Sequence, residues 1–282
     1  MAEILKFEKT QAAVRPIGGF VMTETATDIL RTLNTVRSTY GDAMTYISGG
    51  NGIGKTETLI NFCQQQKGRS IFQSVVKGQG NPYDLATLLL GLDLVFHDRP
   101  HLEVIQLGKK RYADLGNDLN AASAMIADEI GPDRILVLDE GQNLNQRHKK
   151  TSERGASFGW LQGLVAKGGF KLIICGDLTL APMIEVDKQL HTRMIRWRKI
   201  NTNSRADVAA YLSDTKVDTP EIVEVLYQIA RRSGGLRIVK RVIDAAQGFA
   251  GEGALTSAHI RAAIAARNGP PPVQGPWSAR QP

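Results

Sequence analysis

Eight consecutive residues, Gly49-Gly50-Asn51-Gly52-Ile53-Gly54-Lys55-Thr56, have the types and spacing to hold a string of phosphates. They fill the pattern G-x-x-x-x-G-K-[ST]. Glycines let the backbone curl so that successive N–H groups turn inward onto phosphate oxygens. A helix starting here adds its positive N-terminal end. Lys55 would reach the β- and γ-phosphates of ATP, and the Thr56 hydroxyl would ligate Mg2+. Glu57, next in line, completes the segment expected to contact the nucleotide. The plain alternative is a Gly-rich turn before an ordinary helix. The setting argues against it: residues 44–48 form an apolar run fit for one buried strand, and Leu59, Ile60 and Phe62 read as the apolar face of a helix. Strand, loop and helix in that order are what a phosphate-binding loop requires.

A second group of chemistry-bearing residues follows. Residues 134–138 (RILVL) are a buried-strand run closed by Asp139-Glu140. Asp139 would hold Mg2+, directly or through water, and Glu140 would orient and deprotonate an attacking water. Alone, such a pair is equally a couple of solvated carboxylates; after a phosphate loop it reads as catalytic. The next apolar run, residues 170–175 (FKLIIC), ends at Gly176-Asp177. In a parallel sheet this strand lies beside the Asp139 strand, so Asp177 would reach the γ-phosphate or the water. Asp also favours an Asx turn on its own account.

Two arginines matter by position. Arg193 follows the helix after the Asp177 strand and could project across a subunit boundary as an arginine finger. Arg237, in Gly234-Gly235-Leu236-Arg237, opens a later helix and could touch phosphates of its own subunit. Lys77 sits in the Gly/Gln/Asn loop after the run 70–76, and Arg147, Lys149 and Lys150 follow on Asp139-Glu140. Both loops would leave the sheet on the nucleotide side, where they suit DNA phosphate contacts without base readout. Lys109, Lys110 and Arg111 are a third, less well placed cluster.

These side chains need a scaffold. Residues 23–40 read as a helix with Ile29, Leu33 and Val36 on one face and Thr25 or Thr27 as a cap. Strands are expected at 44–48, 70–76, 134–138 and 170–175, with a short edge strand within 194–200. Helices are expected at 83–94, 118–130 and 158–165, whereas 97–110 reads as irregular and polar. From 204 onward the pattern is helical only, near 205–213, 219–233, 236–249 and 256–267. Strands alternating with helices give an α/β fold, a parallel sheet flanked by helices, with a small all-helical lid domain. The expected organisation is an N-terminal extension 1–22, a nucleotide-binding domain 23–203, the lid 204–267 and a flexible Pro-rich tail 268–282.

Composition sets outer bounds. An apolar share of 42% with 22% charged residues is that of a globular chain. No apolar run approaches the roughly 20 residues of a membrane span. The N-terminal MAEILKFEKTQ has no apolar h-region. Two cysteines, Cys63 and Cys175, make neither a disulfide ladder nor a metal spacing, so a reducing cytoplasm is expected. A net charge of +7 favours a polyanionic partner.

Taken in order, the phosphate loop, Asp139-Glu140, Asp177, Arg193 and the Gly-Gly-x-Arg helix resemble an AAA+ P-loop NTPase. Asp177 is similar to the sensor-1 position, where Asn or Thr is commoner, Arg237 to sensor 2 and Arg193 to the arginine finger. Within that superfamily the chain looks most like the transposition ATPases of the phage Mu B, TnsC and TniB type. The residues that carry this are Thr23-Glu24-Thr25, the 49–56 loop, Asp139-Glu140-Gly141-Gln142-Asn143-Leu144 and Cys175-Gly176-Asp177-Leu178. The resemblance implies ATP-dependent filaments on double-stranded DNA, little sequence preference, and delivery of target DNA to a transposase that triggers hydrolysis. Mu B proteins carry an N-terminal helix-turn-helix domain and residues 1–22 leave no space for one, so DNA contact is expected from the ATPase module. A helicase loader or replication initiator would share every motif. A monomeric small-molecule phosphotransferase is a third reading, against which the Gly-Gly-Leu-Arg helix argues.

Overall fold

Alternation along the strands sorts the hydrophobic residues onto two sheet faces. The computed structural model describes residues 20–66, 68–92, 101–145, 155–213, 217–232, 234–251 and 253–268. The described residues divide into two compact units, one spanning Glu24–Asn203, the other running from Ser204 to residue 268 and taking in residues 20–23.

The first unit opens with α1 (Glu24–Ser38), β1 (Ala43–Gly49), α2 (Lys55–Gln65), β2 (Ser70–Ser74) and α3 (Pro82–Gly91). It continues with α4 (His101–Asp114), α5 (Leu119–Ile130) and β3 (Ile135–Asp139), followed by one 3-10 turn (Gly141–Leu144). Then come α6 (Ala156–Gly168), β4 (Lys171–Gly176), α7 (Leu180–Val186), α8 (Lys188–Thr192) and β5 (Arg198–Ile200). The strands form one parallel sheet in the order β2-β3-β4-β1-β5. Ile47, Val137, Ile173 and Cys175 face a core shared with Ile29, Leu33 and Val36 of α1 and Leu59 and Phe62 of α2. Tyr46, Leu136, Leu138, Leu172 and Ile174 face the opposite core, filled by α3 to α8. Helices therefore cover both faces, which a parallel sheet requires.

α1 starts at Glu24, so Thr25 and Thr27 lie inside its first turn and are not its cap. α4 is the larger departure from the expectation of an irregular 97–110 stretch; residues 93–100 lie outside the described residues. Its helicity comes from packing. A Cβ on Gly91 would lie 1.8 Å from the Val104 carbonyl oxygen, and one on Gly108 1.8 Å from that of Thr87. Two glycines thus let α3 and α4 touch backbone to backbone. Arg111 of α4 donates to the Leu90 carbonyl and pairs with Glu129, so this member of the 109–111 cluster is a structural tie. Gly108→Ala should lower the unfolding free energy by about 1–3 kcal/mol by forcing the helices apart. Urea denaturation reads this directly, and an unchanged midpoint would contradict the close crossing.

The second unit contains α9 (Arg205–Leu212), α10 (Pro220–Arg232), α11 (Gly235–Ala250) and α12 (Ser257–Asn268). Ser204 and Asp207 close a capping box at the start of α9, each side chain accepting from the other's backbone N–H at 3.0 and 2.8 Å. Leu212, Leu226, Val239, Ile243 and Ile260 pack its core. Among the described residues no helix is long and apolar enough to cross a membrane.

Candidate nucleotide site

The site forms where the C-terminal ends of β1, β3 and β4 meet, the edge at which open α/β sheets bind ligands. β1 ends at Gly49, and the loop from there to Lys55 turns through Gly52 (φ 77°) and Gly54 (φ 99°). Both lie in the left-handed region, which glycine enters without steric cost. The loop is anchored to β5 by the Gly50 N–H, which donates to the Ile200 carbonyl at 2.9 Å. Asn203 Nδ2 donates to the Ile53 carbonyl at 3.3 Å.

Lys55 is only 9% exposed. Its ammonium donates to the carbonyls of Gly49 and Gly50, each at 2.8 Å. An ammonium has three N–H donors, so one remains for an anion at the loop. Thr56, exposed at the start of α2, donates its hydroxyl to Asp139 Oδ2 at 2.7 Å. Asp139 is buried at the end of β3. The two side chains thus offer a hydroxyl and a carboxylate oxygen at one point beside the loop. That is the small, all-oxygen protein contribution Mg2+ takes when phosphates and water complete its shell. No cluster of three or more His, Cys, Asp or Glu that could hold a metal ion occurs among the described residues.

Glu140 adopts φ 57°, ψ 36°, uncommon for a residue with a side chain. Its N–H donates to Asp139 Oδ1 at 2.9 Å, and its carbonyl accepts from the Asn143 N–H at 2.9 Å. Such strain gathers at functional sites. The Gln142 amide bridges two strand ends: its Nε2 donates to Glu140 Oε2, and its Oε1 accepts from the Asp177 N–H at 3.0 Å. Ser48 Oγ donates to the Asp177 carbonyl at 2.8 Å, tying β4 to β1. Sequence reading gave Gln142 and Ser48 no role; the Gln two residues after Glu140 was the signal available.

Asp177 lies at this edge, but its Oδ1 accepts from the Thr179 N–H at 2.8 Å and from the Thr179 hydroxyl at 2.5 Å. Those are the bonds of an Asx turn, and they leave Oδ2 as the oxygen that can turn to a ligand. Beneath the site, burial and the Asp139 carboxylate raise the Cys175 thiol well above its usual range. Burial also pushes Cys63 up to about 11, so both thiols stay protonated at neutral pH.

The remaining candidates are distributed. Arg193 is exposed, just past α8. Met194 bridges Met44, near the start of β1, whereas the phosphate loop leaves its end at Gly49. Five residues of strand are about 16 Å, so Arg193 lies at the far end of β1 from its own loop. Lys77 is exposed on a turn beyond β2, and Ser74 of that strand is in register with Asp139, so Lys77 shares the sheet edge of the site. Arg237 is exposed in the first turn of α11, in the second unit. Arg147, Lys149 and Lys150 lie outside the described residues, as does the tail beyond residue 268.

This arrangement defines an AAA+ ATPase fold: a P-loop on β1, Asp139-Glu140 on a strand two places away, and an all-helical second unit. Residues 192–266 match the family described as Mu B transposition protein, C terminal. The chain resembles AAA+ ATPases of the transposition-regulator type. Among solved structures it is similar to the Aeropyrum pernix ORC1 protein in complex with DNA, at 15% identity and a TM-score of 0.55. That likeness covers 87% of this chain but 65% of the other, less than two thirds of its length. It is also similar to Cdc6p from Pyrobaculum aerophilum, at 13% identity, a TM-score of 0.58, and coverage of 90% and 69%. A third is the Aeropyrum pernix ORC2 protein in its ADPNP-ADP complexes, at 14% identity, a TM-score of 0.55, and coverage of 87% and 66%. Identities this low show the fold alone. No curated protein sequence matches the chain.

Proposed function

We propose that this protein is an ATP-dependent, sequence-non-specific DNA-binding ATPase that assembles on duplex DNA and regulates target selection and transposase activity in transposition. The observation that carries it is the Mu B C-terminal match on a chain whose first unit brings Lys55, Thr56, Asp139 and Glu140 together at one sheet edge. ATP is the substrate, and ADP and phosphate are the products. The loop N–H groups from Gly49 to Thr56, with Asn51, Ile53 and Glu57 around them, hold its phosphates. Lys55 donates to the β- and γ-phosphates, and Thr56 and Asp139 hold Mg2+. The metal's contribution is to neutralise charge on the phosphate oxygens. Glu140 orients the attacking water and takes its proton. Asp177 reads the γ-phosphate through Oδ2. To the helical unit from residue 204 we assign the lid role, and to Arg237 the sensor-2 role, that the resemblance implies.

Arg193, too far along β1 to serve its own loop, completes the site of a neighbouring protomer. Hydrolysis then depends on assembly. Lys77, with Arg147, Lys149 and Lys150, contacts DNA phosphates, which would make binding fall steeply with salt. Duplex DNA should therefore raise both the ATPase rate and the particle size when ATP is present. Arg193→Ala should lower the DNA-stimulated rate by on the order of 10³-fold, as loss of an arginine finger does. Mixing Arg193→Ala with Lys55→Ala protomers should restore part of the rate, because each supplies what the other lacks. A mixture as inactive as its components would contradict action between subunits. Copurification with a replicative helicase in place of a transposase would instead favour a loader.

A further inference from the structure

The Val75–Gly80 segment that carries Lys77 hangs from the catalytic strand end by several contacts. The Val75 N–H donates to the Asp139 carbonyl at 2.9 Å. Asn143 Nδ2 donates to the Val75 carbonyl at 2.7 Å. A Cβ on Gly80 would lie 1.7 Å from the Asn143 carbonyl oxygen, so the two backbones meet face to face there. Ser157, on α6, donates to the Gly80 carbonyl and closes the other side. Between these anchors the chain makes one tight turn, with the Gln79 N–H on the Val76 carbonyl at 3.0 Å and Gly78 at φ 98°. Val76 and Lys77 are the exposed corner of that turn. Gln79 Oε1 is buried with no hydrogen-bond partner among the described residues.

Asp139 therefore acts in two directions. Its carboxylate holds Thr56 at the phosphate loop, and its carbonyl holds the turn that carries Lys77. A single residue, Asp139, thus carries both the proposed metal ligand and one anchor of the turn with the exposed lysine. The Gly141–Leu144 turn, which begins directly after Glu140, adds the second anchor through Asn143.

We propose that Asn143 is a positioning residue that couples the nucleotide site to the DNA grip of the Lys77 turn. The inference rests on the proposed function above and adds a route for its regulation. A shift of the 139–144 segment on nucleotide loading carries Val75 and Gly80 with it, and so moves Lys77 against a DNA backbone. Conversely, DNA holding Lys77 biases the segment that bears Glu140. Such reciprocity is required of any coupling between two sites.

The test compares the parent with Asn143→Asp, which keeps the volume but sets a carboxylate against the Val75 carbonyl, and with Asn143→Ala, which only deletes the tie. Three quantities are read in the full chain: the ATPase rate without DNA, its stimulation by duplex DNA, and the ratio of DNA affinities in ATP and in ADP. The basal rate and the KM for ATP should stay at the parent's values. Stimulation and the ATP/ADP affinity ratio should each fall about fivefold or more, what one neutral hydrogen bond is worth. Lys77→Ala should weaken DNA binding and lower the ATP/ADP affinity ratio as well, because the coupling is expressed through that side chain; a parent-like ratio in Lys77→Ala would overturn the role of the turn. Parent-like stimulation in both Asn143 variants would overturn the coupling and leave the proposed function standing. A parent that shows no DNA response at all would overturn both.

Discussion

Lys55→Ala is expected to weaken ATP binding by about 100-fold, or about 3 kcal/mol, the range of a charge-assisted bond in a sheltered site. The Lys55 ammonium is nearly buried, already oriented by the Gly49 and Gly50 carbonyls, and has one donor uncommitted. No other described side chain makes a bond in this loop that could substitute for that charge. Titration with a fluorescent ATP analogue measures the loss. With binding gone, ATP-dependent assembly and DNA stimulation should go as well. Affinity within about threefold of the parent, well under one charged bond, would show that the phosphates sit elsewhere.

Glu140→Gln should separate binding from hydrolysis. The substitution keeps shape and removes the proton acceptor, so kcat should fall by about 10²- to 10⁴-fold with little change in KM. Glutamine tolerates the left-handed backbone at this position no worse than glutamate does, and Gln142 can still bond it. The folded state should therefore be retained. Protein–DNA complexes formed with ATP should outlast the parent's, because the triphosphate persists. Single-turnover kinetics with labelled ATP gives the chemical step, and a loss smaller than about threefold would exclude Glu140 as the base.

The two effects follow from what was legible in the chain. Each residue of the 49–56 loop answers a local demand: positive φ at Gly52 and Gly54, a cation at Lys55, a hydroxyl at Thr56. Local demands leave local signatures, and the loop, the Asp139-Glu140 strand end and the β3–β4 neighbourhood stood out for that reason. α10 and α11 were equally plain, since their apolar residues recur at helical spacing. α4 was not, because residues 97–110 read as irregular and polar. Its stability comes from close contact with α3, a tertiary effect that propensity does not encode. The bond between Asn143 and Val75 joins residues 68 apart in sequence, and only the folded sheet edge brings them together. Asp177 shows the Asx turn that its type favours, with Oδ1 bound to Thr179, while its role at the γ-phosphate belongs to the proposed function. Arg193 gained its argument from register: the Met194–Met44 bridge places it away from its own loop, which pattern alone could not show.

The central claim is that ATP held at the Gly49–Thr56 loop joins protomers, and that only the joined form grips duplex DNA. Negative-stain electron microscopy of the protein on linear duplex DNA, with ATP, with a non-hydrolysable analogue and without nucleotide, tests it most directly. The expected result is continuous protein-coated DNA with ATP or the analogue and bare DNA without either. Equal coating in the absence of nucleotide, or by Lys55→Ala protein, would contradict it.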